Sequence, residues 1–242
     1  ITRRGWFRVK KIMFNNEIFF LDILGVIYWP RLMTIILSDL HLGKSMFWAR
    51  HGKFLPPYDN LETLRKLKKV LRQFQINKII FLGDVFHDDS GYETLEPDTI
   101  QILNEILCNY EIIFIAGNHD FNISIPKIKI LKNYTKDSII FSHYPNTNLS
   151  EGKAQIFGHF HPKISVRISG RVISKKCFVI DKKKMLLPSF GNYTGGLDIN
   201  KNMLLNIFNK DCTYFMLGQK RILEIKKENL KKTLKKYKSN YL

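Results

Sequence analysis

The chain has 242 residues, 45% of them hydrophobic, which is enough to bury a substantial core, and its 39 lysines and arginines against 21 acidic residues give a formal net charge of +18. This excludes an acidic or low-complexity disordered protein and suits an anionic partner: nucleic acid, a phosphorylated substrate or a membrane surface. Lysine dominates in a sequence also rich in isoleucine and asparagine, so part of the charge reflects compositional bias.

Cys108, Cys177 and Cys212 are odd in number, widely spaced and form no C-x-x-C, which argues against a disulfide framework or a thiolate metal site. They fit a reducing, cytoplasmic compartment. The N-terminal stretch is basic first and apolar later, like a signal peptide, but Asn15, Asn16, Glu17 and Asp22 interrupt it and no small-residue cleavage site follows. Its longest apolar run, residues 18–29, is shorter than the ~20 residues of a spanning helix. Residues 1–12 read as an upstream extension before a natural start at Met13, and the whole chain, residues 1–242, as a single domain.

Taken in order, residues 33–39 ("MTIILSD") predict a buried strand, and residues 61–74, with Leu61, Leu64, Leu67, Val70, Leu71 and Phe74 at three- and four-residue spacing, an amphipathic helix. A second buried strand is expected at 78–84, a helix from Pro97 to Asn109 and a third strand at 111–118. The β-α-β-α-β alternation predicts an α/β fold. After residue 135, short apolar runs at 138–143, 154–159, 163–168, 177–181, 203–209 and 213–217 predict a second, mixed or antiparallel sheet packed on the first. Residues 221–238 read as a terminal helix docked through Ile222, Ile225, Leu230 and Leu234. Its basic residues form a solvated face or, alternatively, an arm for polyanions.

The polar residues with chemical potential fall where these strands end. Asp39 and His41 follow the first strand, with the two-residue spacing that puts side chains on one face of a strand. Asp84 follows the second, behind a glycine that lets the backbone turn closely. Asn118, His119 and Asp120 follow the third. His143 ends a later strand, and "GHFHP" supplies His159 and His161. The carboxyl ends of strands form the site-bearing edge of an α/β sheet, so five such segments converge. Each is weak alone, but together they use five of the seven histidines. Two carboxylates, one amide and four histidines, with His119 left over, suffice for two divalent ions if one carboxylate bridges. The donor set suits Mn, Fe or Zn and points to phosphoester hydrolysis, in which paired ions clamp the attacking and leaving oxygens.

The pattern D-x-H, G-D, G-N-H-D, H, G-H-x-H resembles the calcineurin-like metallophosphoesterase superfamily across residues 39–161. That resemblance implies an α/β (α+β) fold, a four-layer α-β-β-α sandwich of two mixed sheets flanked by helices. It also implies one ion held by Asp39, His41 and His161, a bridging Asp84, and a second ion held by Asn118, His143 and His159. His119 would protonate the leaving group, with Asp120 orienting its ring, as metal-activated hydroxide attacks phosphorus.

A narrower similarity, carried by "YWPR", "DLHLGK", "FWARHGKFLPP", "GDVFHD" and "CFVIDKKKMLLPSFGNYTGGLDI", is to the bacterial ligase-associated DNA-damage-response phosphodiesterases. It implies a manganese-dependent phosphodiesterase or endonuclease of DNA repair, acting near a DNA ligase and a helicase. Within that match Lys44, Arg50 and His87 are candidates to meet substrate, each also readable as ordinary surface or packing residues. "LPSFGNYTGG" reads as a sheet corner or pocket wall. The alternatives are a small-substrate metallophosphoesterase, such as a UDP-diacylglucosamine-type pyrophosphohydrolase, a recombination nuclease subunit, and a non-catalytic scaffold of the same fold. The pyrophosphohydrolase would need an acyl-chain cap that the sequence lacks. The nuclease subunit would need more chain, and the scaffold would have lost ligands that are all present.

Overall fold

The computed structural model describes residues 8–56, 58–168, 171–199, 206–209 and 211–227. It opens with a hairpin that residues 8–22 did not announce: β1 (Val9–Phe14) pairs antiparallel with β2 (Glu17–Asp22). Asn15 and Asn16, both at positive φ, make the two-residue turn whose twist matches flanking strands. Residues 9–12, read from sequence as upstream extension, are thus paired into a sheet edge. Next come β3 (Ile27–Trp29), β4 (Thr34–Leu37), α1 (Lys44–Arg50), α2 (Asp59–Leu71), β5 (Lys78–Leu82), α3 (Pro97–Asn109), β6 (Glu111–Ile115) and β7 (Ile130–Leu131). Strands β1 to β7 form one sheet in chain order, antiparallel from β1 to β4 and parallel from β4 to β7.

The second sheet is built from β8 (Asn133–Lys136), β9 (Ile139–Ser142), β10 (Ala154–Phe157), β11 (Pro162–Ile168), β12 (Arg171–Ile180), β13 (Lys184–Leu186) and β14 (Leu197–Asp198) in the order β14-β11-β12-β13-β10-β9-β8. Strands β15 (Thr213–Leu217) and β16 (Ile222–Lys226) extend it beside β12. The β9–β10–β13 pairings are parallel and the β12 pairings antiparallel, so this sheet too is mixed.

Three apolar layers follow from this arrangement. Leu64, Leu67, Val70 and Leu71 of α2, with Leu103 and Ile106 of α3, pack on Ile35, Leu37, Ile79, Phe81 and Phe114, covering the outer face of the first sheet. Between the sheets, Phe19, Leu21, Trp29, Ile36, Ile80 and Ile115 meet Ile139, Phe141, Ile156, Phe178 and Leu187. The far face of the second sheet packs Phe157, Cys177, Val179 and Met216 against Phe208 and Cys212, without a contribution from α1, α2 or α3. The expected sandwich of two mixed sheets is therefore present, with its described helices on the first sheet's side.

Two sequence expectations fail here. Ile222–Lys226 is not helical: Leu223 and Ile225 are buried, while Glu224 between them is exposed, and the segment pairs residue for residue with β15. Period-two alternation within five residues outweighs the three- and four-residue spacing read over the longer basic run. The rest of the expected helix, residues 228–242, lies outside the described residues. Of the strand expected at 203–209, residues 206–209 form a turn and the others also lie outside the described residues.

Candidate metal centre

Strands β4, β5 and β6 of the first sheet and β9 and β10 of the second end at a common edge, and the loops that leave them carry every expected ligand. The side chains converge for a different reason than strand alternation. Asp39 (φ 57°), His41 (φ 52°), Asp84 (φ 50°), His159 (φ 77°) and His161 (φ 46°) all adopt the left-handed backbone region beyond their strands. That conformation costs non-glycine residues on the order of 1–3 kcal/mol each and survives only where surrounding contacts enforce it. Here the Asp39 amide donates to Gly83 O and the His41 amide to Asp84 O, locking the two loops together. Gly83, at φ 82°, lies so close to His143 that a Cβ would sit 2.4 Å from its Nδ1. The glycine before Asp84 thus makes room for a ligand's ring rather than for a bound group.

Two donor groups match the expected ligand sets. Asp39, His41 and His161 cluster on one side: His41 Nε2 is 3.2 Å from His161 Nε2, which is 3.2 Å from Asp39 Oδ1. On the other, Asp84, His143 and His159 cluster with Asn118: Asn118 Oδ1 is 3.1 Å from both His143 Nε2 and His159 Nδ1, and those two nitrogens are 3.2 Å apart. Asp84 Oδ2 stands 3.4 Å from His143 Nε2 and 3.9 Å from His41 Nε2, between the groups.

Such convergent nitrogens and carboxylate oxygens outnumber the hydrogens available to bridge them, an arrangement that fits divalent cations. His143 is oriented for this: its Nδ1 donates to Leu82 O at 2.8 Å, which turns Nε2 toward Asp84 and the other donors. Burial lowers His41 to about 3, and burial with the nearby His143 lowers His159 to about 4, so both are neutral imidazoles. Burial opposes ionisation of Asp39 and Asp84, but the hydrogen bonds from His161 and His143, respectively, outweigh it and hold both carboxyls below the usual range. Burial would also lower His143, yet its hydrogen bond to Asp84 and the charge of Asp39 push it up to about 9.

The remaining candidates divide. His119 Nδ1 donates to the carbonyl of His87 at 2.9 Å, and its amide donates to Asp84 Oδ1 at 3.0 Å. Asp120 does not hold that ring. Its buried carboxylate accepts the amides of Gly117 (2.7 Å), Val85 (2.7 Å), Phe86 (3.2 Å) and Asp84 (3.3 Å), tying the β5 and β6 loops together. The sequence expectation is corrected: Asp120 shapes the turn that presents Asp84, and His87 orients His119.

His87 is buried, stacks on His119 at 4.9 Å with an 18° interplanar angle, and places Nδ1 3.4 Å from His41 Nδ1. It therefore lies between His41 and His119, and these three histidines form a further group close enough to hold a metal ion. Lys44 Nζ is bonded to Tyr193 O at 2.8 Å, and Arg50 to Asp88 Oδ2 at 2.6 Å and Ser90 Oγ at 3.2 Å, so both are engaged by protein groups. Two residues escaped sequence reading. Ser38 Oγ donates to Asp39 Oδ2 at 2.6 Å, and the Tyr144 ring packs on His159 at 4.4 Å. Ser38 stands next to a ligand and Tyr144 follows His143, but serine and tyrosine in such places carry no distinctive spacing.

Comparison with known proteins agrees with this geometry. The calcineurin-like phosphoesterase family matches residues 32–187, well over half of the chain. Among solved structures, nuclease MPE of Pseudomonas putida is similar over 90% of this chain and 100% of that one, with 24% sequence identity and a TM-score of 0.71. A conserved protein of Streptococcus pneumoniae described as a predicted phosphoesterase aligns over 80% of this chain and 96% of that one at 14% identity, with a TM-score of only 0.32. No curated protein sequence matches the chain. With its aspartate and histidine groups able to hold divalent ions, the chain belongs to the calcineurin-like phosphoesterase family and is a metal-dependent phosphoesterase.

Proposed function

We propose that the protein is a dinuclear phosphodiesterase acting on nucleic acid, working as one domain in the cytoplasm, with manganese the favoured ion over iron or zinc. The observation that carries this reading is the pair of adjacent donor groups with Asp84 Oδ2 between them, within 4 Å of a histidine nitrogen on each side. Asp39, His41 and His161 would hold one ion, Asn118, His143 and His159 the other, and Asp84 both. Ions bound there would acidify a water and draw charge from the phosphoryl oxygens.

The chain's own residues supply the rest. His41 and His159 are already neutral and accept a cation without displacing a proton. His119, with Nδ1–H fixed on the His87 carbonyl, keeps Nε2 as the atom that passes a proton to the departing oxygen. The alkoxide expelled from a phosphate ester gains most from that proton. The net charge of +18 supports a polyanionic substrate, and the likeness in fold to a nuclease supports the same class. The similarity to ligase-associated repair phosphodiesterases supports a role beside a DNA ligase and a helicase.

The test is to load the protein with Mn2+ and assay an aryl phosphodiester, an aryl phosphomonoester, single-stranded DNA and double-stranded DNA in parallel. Cleavage of the diester and of DNA is expected. A protein that cleaves only the monoester would refute the reading.

A further inference from the structure

The segment "LPSFGNYTGG" follows β13 and carries no expected ligand, yet it is bonded directly to the loop that bears Asp39. The Phe190 amide donates to Ser38 O at 2.8 Å and the Gly191 amide to Asp39 O at 3.0 Å. The fit is close enough that a Cβ on Gly191 would stand 2.1 Å from Leu40 O. What holds the segment in place is lysine. Lys176 of β12 directs Nζ at Ser189 O (2.8 Å), Gly191 O (2.6 Å) and Thr194 Oγ1 (3.0 Å), one acceptor for each hydrogen of its ammonium. Lys66 of α2 comes from the other sheet's helix layer, bonds Phe190 O at 2.5 Å and lies 3.9 Å from the centre of that residue's ring.

We propose that Lys176, seconded by Lys66, is a positioning residue for the ion held by Asp39, His41 and His161: it fixes residues 189–191, which clamp the Ser38–Asp39 backbone in its left-handed turn. Two positive charges converge on three consecutive carbonyl-bearing residues, and the amides of two of those residues point at the ligand loop. Without the clamp, the turn that holds φ at 57° and 52° keeps its amide bonds to Gly83 O and Asp84 O but loses the two that reach it from Phe190 and Gly191. The second group is held instead by the Asp120 carboxylate and by the His143 bond to Leu82 O, neither of which touches this segment. The effect therefore falls first on the ion held by Asp39, His41 and His161, and reaches the other group only through the His159 amide, which donates to Asp39 Oδ2 at 3.1 Å.

This inference rests on the two-ion reading, and the test separates the two. Mn2+ uptake is measured by titration, and the spin-coupled pair is followed by electron paramagnetic resonance, in the wild type, Lys176→Met, Lys66→Met, His161→Ala and His159→Ala. Lys176→Met should bind one ion as the wild type does and the other about 10- to 100-fold more weakly, the range seen when groups that orient ligands are removed. Its spectrum should match that of His161→Ala and not that of His159→Ala. Lys66→Met should show the same selectivity with a smaller loss.

A wild type that takes up a single ion refutes the two-ion reading and this proposal with it. Two ions in the wild type, bound unchanged or weakened equally in both lysine variants, refute the proposal alone. If Lys176→Met does not fold, Thr194→Val removes one of the three acceptors and leaves both lysines. It must weaken the same ion selectively, and equal or absent weakening refutes the proposal.

Discussion

His119 and Asp120 are neighbours with unrelated tasks. His119 has its Nδ1 on the His87 carbonyl, so His119→Ala should lower turnover by about 10²- to 10⁴-fold while both ions still bind, as metal analysis of the purified variant would show. Asp120 is the acceptor for four amides, and Asp120→Asn turns a donor toward that cluster. It should lose about 3 kcal/mol or more of stability in denaturant titration, while the folded variant keeps far more turnover than His119→Ala. A folded Asp120→Asn as slow as His119→Ala would mean that Asp120 acts on the ring after all.

His143 supplies a prediction about pH. Its folded pKa, about 9, lies above the ordinary value of 6.5, so the stability it contributes to metal-free protein is complete below pH 6.5 and is lost as pH rises through 9. The thermal midpoint of chelator-treated protein should fall over that window. Metal affinity should rise over the same window, because binding must displace the His143 proton, and calorimetry in buffers of different ionisation enthalpy would count that proton.

At the scale of elements, the parallel strands β4, β5 and β6 and the helices α2 and α3 were legible because buried runs and helical spacing are strong local signals. The convergence of the candidate ligands was legible for the same reason: each follows such a run. Their backbone geometry was not. Asp39 and His41 share a site through two left-handed residues, a conformation fixed by bonds to Gly83 and Asp84 that are distant in sequence. Strand β16 was misread because lysines and a glutamate on its open side hid a pairing that only β15 explains. The β1–β3 meander was masked by resemblance to a leader.

That meander bears weight, since Ile12 packs on the inter-sheet layer and Phe14 is buried in it. Removing residues 1–12, so that the chain starts at Met13, strips β1 of most of its pairing and should lower the thermal midpoint by about 5 °C or more. An unchanged midpoint would show that the edge strand is dispensable.

Across the whole molecule, both of the expected ligand groups draw on both sheets. Asp39 and His41 come from the first and His161 from the second. Asp84 and Asn118 come from the first, and His143 and His159 from the second. Cations bound there would bridge the two halves of the sandwich, so saturating Mn2+ should raise the thermal midpoint in proportion to the logarithm of free metal, and chelation should reverse the rise. A midpoint indifferent to metal would place the ions elsewhere.

The same division has a consequence for how the chain is made. A ribosome that has delivered only the first sheet has produced part of each cation pocket, with no imidazole from His143, His159 or His161 to complete it. Hydrolysis that needs all of these ligands would therefore be withheld from the nascent chain until the second layer closes on the first, and an unfinished molecule would leave phosphate esters intact.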